Sequence, residues 1–189
     1  EWIARWPQWN DCIAAMSSKV ADRVPKRFKS RCKIVGDLMA DLPKLRTTNT
    51  AIKEGNWIAL LPGSKKTKLS IGVPFLLEVA DRLKVIRPEC NFLLPVAPTT
   101  SAEEIQYFVS VKNPIAAKYQ SKIIKVLPSN ENEALRRIIT SNGTEIHLQE
   151  NPPALEELSQ CNLALTTVGA NTAELGALCV PMIVIVPTQ

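Results

Sequence analysis

The sequence predicts an α/β protein with a doubly wound, mostly parallel sheet of the Rossmann-like kind. Short apolar runs alternate with amphipathic helical stretches, and prolines and glycines separate them. In addition, 46% of the 189 residues are hydrophobic, which is enough for one core with a small appendage. Because a helix between two strands crosses over the sheet, this alternation predicts strands that run parallel to one another.

The N-terminal part is predicted to form a short βαβ unit. Apolar runs at residues 12–16 and 32–35 indicate two strands, and residues 17–24 indicate a helix capped by its first serine. A polar stretch follows these elements. We therefore predict one domain over residues 1–46 and a second over residues 47–189.

The second domain shows a regular alternation of strand and helix signals. Buried-type runs predict six strands, at residues 57–61, 91–96, 122–127, 144–149, 162–167 and 182–186. Helical periodicity predicts a long helix that starts near Val73, with Pro74 in its first turn, and stops before Pro88. A capping box at residues 101–104 starts another helix. Further helices are predicted at residues 132–139, 151–158 and 170–178.

Positive charge is concentrated near the N-terminus. Residues 1–46 contain 10 Lys and Arg against 5 Asp and Glu, which accounts for the whole net charge of +5. The densest part, residues 23–33, suits an anionic lipid surface, nucleic acid or a solvated basic loop. We favour the solvated loop, expect no nucleic acid, and keep peripheral membrane contact as the alternative.

The cysteines and the single histidine do not predict a metal site. Five cysteines lie far apart without a Cys-x-x-Cys pair, and no histidine cluster completes a zinc site. We therefore predict reduced thiols in a cytoplasmic protein without a metal. His147 lies on a predicted strand without a nearby nucleophile, which favours a structural role over a catalytic one.

A first candidate ligand site lies where the apolar run ending at Thr167 turns into a helix at Gly169. At the carboxyl edge of an open α/β sheet, a helix start presents free backbone N–H groups, so Gly169 to Thr172 predicts an anion site. Glu174 in the same helix repels phosphate but accepts hydrogen bonds from a sugar hydroxyl. The pair indicates a nucleotide or nucleotide sugar, although a plain strand-to-helix connection explains the pattern about equally well.

A second candidate site is the loop over residues 62–68, which also follows a buried strand. Its lysines at 65, 66 and 68 are suited to neutralise a diphosphate, and Gly63 lets the backbone approach it. The loop is not a Walker A motif, and no G-x-G-x-x-G fingerprint follows any strand, which argues against an ATPase and a typical dehydrogenase. Taken alone, the loop is better explained as a lysine-rich exposed turn than as a phosphate site. Two such loops on one edge favour a phosphate site.

Three motifs, in the same order as in the family, resemble lipid-A-disaccharide synthases. Residues 58–65, Ile-Ala-Leu-Leu-Pro-Gly-Ser-Lys, resemble the first strand and loop of that family's C-terminal domain. Residues 166–174, Thr-Thr-Val-Gly-Ala-Asn-Thr-Ala-Glu, are similar to its Ser-Gly-Thr-x-x-x-Glu turn. Residues 35–41, Val-Gly-Asp-Leu-Met-Ala-Asp, are similar to its Val-Gly-x-Pro-Leu-x-Asp crossover. The chain looks most like the divergent cyanobacterial and plastid forms.

The resemblance implies the C-terminal, donor-binding portion of a GT-B glycosyltransferase, with residues 1–46 as the end of the N-terminal domain and the crossover. Such an enzyme moves a sugar from a UDP-linked donor to a lipid-linked sugar acceptor, with inversion and without a metal or cofactor. The implied partners are a UDP-sugar and the lipid-linked acceptor. A homodimer stays open, because the sequence does not give the oligomeric state. The implied location is the cytoplasm, with peripheral contact at the inner membrane.

The motif match also implies how the donor is held. Gly169, Ala170, Asn171 and Thr172 would offer backbone donors to the diphosphate, and Glu174 would hold the ribose. Lys65 takes the position of the family's arginine beside the phosphates and replaces its bidentate fork with a point charge. The remaining donor-binding residues implied are Gly63, Ser64 and Thr167.

No catalytic residue is assigned, because the resemblance implies that the general base lies in an N-terminal domain of which the chain holds only the last strand–helix–strand. We therefore expect a fragment that binds the donor and is inactive alone. Two alternatives remain open. One is a UDP-sugar 2-epimerase-like enzyme on the same fold. The other is a GT-B remnant that binds nucleotide without catalysis, which the lysine at position 65 favours.

Overall fold

A computed structural model describes residues 12–37, 39, 51–129 and 135–186 of the chain. The chain divides into two compact units, Glu1–Leu45 and Arg46–Gln189. In the first unit, β1 (Ile13–Ala15) pairs in parallel with β2 (Cys32–Ile34), and α1 (Ser18–Asp22) connects them. The Ser17 hydroxyl caps α1, so the predicted βαβ arrangement is confirmed.

The second unit contains a seven-stranded sheet. Its strands are β3 (Asn56–Leu61), β4 (Cys90–Pro95), β5 (Ile123–Leu127), β6 (Arg136–Thr140), β7 (Glu145–Gln149), β8 (Leu163–Thr167) and β9 (Met182–Ile185). They lie in the order β5–β6–β7–β4–β3–β8–β9. The five strands from β7 to β9 are parallel, whereas β6 is antiparallel to both of its neighbours. The predicted Rossmann-like, mostly parallel sheet is confirmed.

Helices cover both faces of this sheet. They are α2 (Lys66–Ile86), α3 (Ala102–Phe108), α4 (Leu155–Ser159) and α5 (Ala170–Ala177). On one face, α2 and α3 pack with Ile58 and Leu60 of β3 in a buried cluster. On the other face, α4 and α5 pack with Ala59 and Leu61. Because both faces of β3 are buried, its sequence is a continuous apolar run rather than an alternating one.

The long helix begins seven residues earlier than predicted, at Lys66 instead of near Val73. Pro74 therefore lies in the helix interior, where it has no N–H to donate to the Ser70 carbonyl. Asn113 supplies the missing donor, since its Nδ2 lies 2.8 Å from the Ser70 oxygen. This side chain comes from a distant part of the chain, which explains why the local pattern placed Pro74 in the first turn.

The helix predicted at residues 132–139 is wrong over its described part, because residues 136–139 belong to β6; residues 130–134 lie outside the described residues. The Asn-Gly turn, with Gly143 at a φ of +83°, reverses the chain so that β6 pairs with β7. Ile138 and Thr140 are then both buried. Apolar spacing suited either structure, and the hairpin decided between them. The helix predicted at 151–158 starts only at Leu155.

Within the described ranges, no helix is long and apolar enough to cross a membrane.

The capping box predicted at residues 101–104 is confirmed. The Ser101 hydroxyl accepts the Glu104 backbone N–H at 3.2 Å, and the Glu104 carboxylate accepts the Ser101 N–H at 3.2 Å. Two orphan donors at the start of α3 are thus satisfied reciprocally.

A buried carboxylate on α2 joins this helix to the antiparallel edge of the sheet. Asp81 is 3% exposed. It accepts hydrogen bonds from the Ser121 hydroxyl, from Thr140 Oγ1 at 2.5 Å and from Asn142 Nδ2 at 3.0 Å. These three donors replace the water that a carboxylate loses on burial.

Glu78, one turn earlier on α2, strengthens the same junction. Its Oε2 accepts the backbone N–H groups of Gln120 at 2.9 Å and Ser121 at 3.0 Å. Burial opposes the charged form, but the Ser121 amide and the Arg82 side chain outweigh it and lower the pKa of Glu78. The two carboxylates therefore hold β5 and β6 against α2.

We expect Asp81→Ala to lower the free energy of unfolding by about 3 kcal/mol, because it leaves the buried Thr140 hydroxyl without an acceptor and removes the carboxylate that ties α2 to Ser121 and Asn142. Urea unfolding followed by circular dichroism measures this change. Glu89→Ala is the control, since Glu89 is exposed and its contact with Arg87 spans 3.9 Å. Equal midpoints for the two variants would contradict the prediction.

Candidate functional site

The carboxyl ends of β3 and β8 lie side by side at the centre of the sheet, with Leu61 opposite Thr166. The chain leaves β3 through α2 toward β4 on one side, and leaves β8 through α5 toward β9 on the other. Since these connections diverge, they leave a crevice between them. In open α/β sheets, such a switch point is where ligands bind.

The two loops singled out from the sequence meet at this point. The Lys68 ammonium donates a hydrogen bond to the Val168 carbonyl, 100 residues along the chain. A Cβ atom built on Gly169 would lie 3.7 Å from Lys68 Nζ. One cation thus lies beside the start of α5 and joins the β3–α2 loop to the β8–α5 loop.

Glycine is required at position 63 of the β3–α2 loop. Its φ of +100° is a conformation that residues with side chains rarely adopt. A Cβ there would also lie 3.1 Å from Lys68 Cβ and 3.2 Å from Thr167 Oγ1. The absence of a side chain is what lets the two loops approach each other.

The Thr167 hydroxyl faces this junction without a partner. Thr167 is 6% exposed, and its Oγ1 is enclosed and makes no hydrogen bond with any described residue. Buried hydroxyls almost always have a partner. This oxygen therefore marks a polar position at the loop junction that the described chain does not satisfy.

A cavity of about 330 Å³ lies against the same loops. This volume is at the lower end of the range for ligand pockets, about 300–1,000 Å³. Its walls come from the ends of β3, β4 and β7 and from α4 and α5. The lining residues are Leu61, Pro62, Gly63, Ser64, Pro95, Val96, Ala97, Pro98, Gln149, Pro152, Pro153, Ala154, Leu155, Leu158, Asn171 and Glu174.

The start of α5 has free capacity to bind an anion. Gly169 is the N-cap residue, and no side chain caps the helix. Thr172 donates its hydroxyl back to the Gly169 carbonyl at 2.7 Å, so this hydroxyl is already used. Glu174, one turn into the helix, is half-buried, and its carboxylate forms no hydrogen bond or ion pair with the described part of the chain.

The structure brings most of the predicted donor-binding residues together. Gly63, Ser64, Asn171 and Glu174 line the cavity, and Thr167 and Gly169 lie at the Lys68 contact. Ala170 begins α5 and is exposed. Lys65 is exposed at the N-cap of α2, where its carbonyl accepts the Lys68 N–H at 2.8 Å.

Lys68 belongs to the basic cluster seen in the sequence but is not among the predicted donor-binding residues. The start of α2 at Lys66, which the local sequence pattern does not show, is what points to Lys68. In a helix that begins at Lys66, the residue at position 68 lies in the first turn, and helical side chains point back toward the N-terminus. Position 65 lies just before that turn.

The other reactive side chains lie in structural settings. His147 packs edge-to-face on Trp57, with ring centroids 5.0 Å apart. Burial, with a smaller effect from Glu157, raises the pKa of the Cys161 thiol to about 12, so it stays protonated at neutral pH. Among the described residues, no group of three or more His, Cys, Asp or Glu is placed to hold a metal ion.

Comparison with known proteins finds similarity to several lipid-A-disaccharide synthases. No protein-family profile matches the chain. A lipid-A-disaccharide synthase of Anaeromyxobacter dehalogenans strain 2CP-C is 35% identical over 69 residues, 36% of this chain and 16% of the relative. That of Aeromonas hydrophila is 29% identical over 97 residues, 48% of this chain and 25% of the relative. Lipid-A-disaccharide synthase 2 of Legionella pneumophila strain Lens is 30% identical over 131 residues, 64% of this chain and 31% of the relative.

These matches confirm the resemblance seen in the motifs. The chain is related to lipid-A-disaccharide synthases over part of its length. The matched segments span between 16% and 31% of the length of these three relatives.

Proposed function

We propose, from the relationship to lipid-A-disaccharide synthases, that this chain is the donor-binding part of a glycosyltransferase. The proposed enzyme moves a sugar from a UDP-sugar to a lipid-linked sugar acceptor, with inversion and without a metal ion. One observation carries the proposal: two phosphate-compatible loops meet through Lys68 at the switch point of the sheet, beside a ligand-sized cavity.

The chemistry explains why such a site needs positive potential. The acceptor hydroxyl attacks C1 of the donor sugar and loses its proton to a base, while the bond from C1 to the UDP oxygen breaks. Negative charge therefore develops on the leaving diphosphate. In our proposal, the uncapped start of α5 and the Lys68 ammonium stabilise that charge. No residue of the described chain is assigned as the base.

The polar groups deeper in the cavity suit the sugar part of the nucleotide. Glu174 lines the cavity without a partner in the described chain, and a carboxylate there accepts hydrogen bonds from ribose hydroxyls. Asn171, one turn closer to the start of α5, lines the same wall. In this arrangement the diphosphate lies at the loop junction and the ribose beside Glu174.

A lipid-linked acceptor requires access to a membrane surface. We propose peripheral contact with the inner membrane from the cytoplasm, through the basic segment of the first unit. Its exposed cations are Arg23, Lys26, Arg27, Lys29, Arg31 and Lys33. Basic side chains near an anionic surface contribute about 1 kcal/mol each to such binding.

Calorimetric titration of the chain with UDP tests the donor-site proposal, and NADP is the control nucleotide. Binding of UDP without binding of NADP is the expected result. Equal binding of both would point to a general anion site and contradict the proposal, and so would absence of UDP binding.

We expect Lys68→Met to weaken UDP binding by about tenfold, since it removes a charge-assisted contact to the diphosphate. Lys66→Met is the matched control, because Lys66 carries the same charge on the same turn but pairs with Glu104 at 3.5 Å. Lys65→Met tests the family's arginine position. If Lys66→Met weakens binding as much as Lys68→Met, the role assigned to Lys68 is wrong. An equal loss in Lys65→Met would add Lys65 to the phosphate site.

A further inference from the structure

Gln149 lies at the end of the cavity away from the phosphate-compatible loops. It is the last residue of β7, lines the cavity and is 5% exposed. β7 is separated from β3 by β4, and from β8 by β4 and β3. At about 4.8 Å per strand spacing, the end of β7 lies about 10 Å from that of β3 and about 14 Å from that of β8.

The hydrogen bonds around Gln149 determine how its side chain is oriented. Oε1 accepts the Asn151 backbone N–H at 3.0 Å, which assigns the oxygen to the loop that follows β7. The main-chain carbonyl accepts the Val96 N–H at 2.8 Å and holds the ends of β7 and β4 together. Both contacts leave the amide nitrogen Nε2 unused.

Nε2 of Gln149 has no hydrogen-bond partner within the described chain. It is also not among the fully enclosed side-chain atoms, so it keeps access to the cavity. A donor on a residue this deeply buried loses much of its contact with bulk water. A ligand with an acceptor at this point would restore the missing hydrogen bond.

The neighbouring walls suit a flat ring. Pro95 ends β4 and Val96 follows it, and Pro152, Pro153 and Leu155 follow Gln149 on the chain. These side chains are apolar and carry no charge, so they can cover the faces of an aromatic heterocycle while a donor contacts its edge. The far end of the cavity therefore combines apolar walls with one amide donor.

We propose that Gln149 selects the nucleobase of the donor, by donating from Nε2 to the C4 carbonyl oxygen of uracil. This inference rests on the proposed donor site, whose diphosphate and ribose positions leave the base at the β7 end of the cavity. Uracil presents a carbonyl acceptor where cytosine presents an amino donor. Cytosine would place a second donor against Nε2 and leave both unpaired, so the site disfavours it.

The test compares UDP with CDP by calorimetric titration of the full chain and of Gln149 variants. The parent chain is expected to bind UDP at least about tenfold more tightly than CDP. Gln149→Glu replaces the Nε2 donor by an acceptor oxygen and keeps the acceptor for the Asn151 N–H. This variant is expected to lose at least about tenfold in UDP affinity and to prefer CDP.

The second variant, Gln149→Met, tests the same role without introducing a charge at this buried position. Gln149→Met has a similar length without a donor, and its UDP-to-CDP affinity ratio is expected to fall close to one. Gln160→Glu is the matched control, since Gln160 is exposed at the end of α4 and the substitution changes the charge equally. Thermal unfolding of each variant shows whether it is folded.

The outcomes separate this inference from the proposed function. If the parent binds UDP but Gln149→Met keeps the parent's UDP-to-CDP ratio, the role of Gln149 is rejected and the donor site stands. A parent chain that binds neither nucleotide overturns both proposals. An equal change in Gln160→Glu and Gln149→Glu would show a general charge effect and would also reject the role of Gln149.

Discussion

Replacing Glu174 by alanine is expected to weaken UDP binding by about 10- to 100-fold, because hydrogen bonds to a charged acceptor contribute about 1.5–3 kcal/mol. The carboxylate lines the cavity, is half-buried and has no partner in the described chain, so it is available to two ribose hydroxyls. Calorimetric titration of both chains with UDP measures the change.

Pyrophosphate separates the role of Glu174 in holding ribose from its general effect on anions. Removing a negative charge near a phosphate site favours anion binding, so Glu174→Ala should bind pyrophosphate at least as tightly as the parent. Glu54→Ala, at an exposed position, is the control for the change in net charge. Tighter UDP binding by Glu174→Ala would show that the carboxylate repels the ligand, contrary to the proposal.

Replacing Gly72 by alanine is expected to lower the free energy of unfolding by about 1–3 kcal/mol, because the new methyl group overpacks a filled space. Gly72 lies on α2 where that helix crosses the β3–α2 loop. A Cβ at this position would lie 2.8 Å from the Pro62 carbonyl oxygen and 2.9 Å from its Cβ. The clash involves backbone, which cannot move without displacing Gly63, so UDP binding should weaken as well.

Gly176 is the matched control for Gly72. It is also a helical glycine, but a Cβ there would have open space around it within 4 Å. Gly176→Ala is therefore expected to stabilise the protein by about 0.5–1 kcal/mol, the usual helix preference for alanine. Urea unfolding of both variants gives the comparison. A stabilised Gly72→Ala would contradict the packing described for the loop.

Local sequence signals were sufficient to predict much of the fold. The apolar run of β3 predicted a strand because both of its faces are buried, and the capping box at Ser101 marked the start of α3. The same kind of signal did not predict that residues 136–140 form strand β6. The spacing of Leu135, Ile138 and Ile139 fits a helix face, and only pairing with β7 decides for a strand.

The candidate site was predictable in outline and not in its details. Gly63 and Gly169 were identified because glycine commonly marks a turn after a strand and because the ends of parallel strands share one edge of the sheet. Lys68 and Gln149 were not assigned to the site. Their roles depend on Val168 and on the cavity wall, which are remote from them in sequence.

The sequence by itself determined the fold class, most of the strands and the two loops at the sheet edge, because burial patterns, caps and turn residues act over a few neighbouring positions. Tertiary structure alone decided where α2 begins, which lysine reaches α5 and which amide opens into the cavity. Asn113 rescues a helix interrupted by Pro74, and the Val168 carbonyl positions Lys68. These contacts join residues 43 and 100 positions apart, and their geometry exists only once the strands have paired.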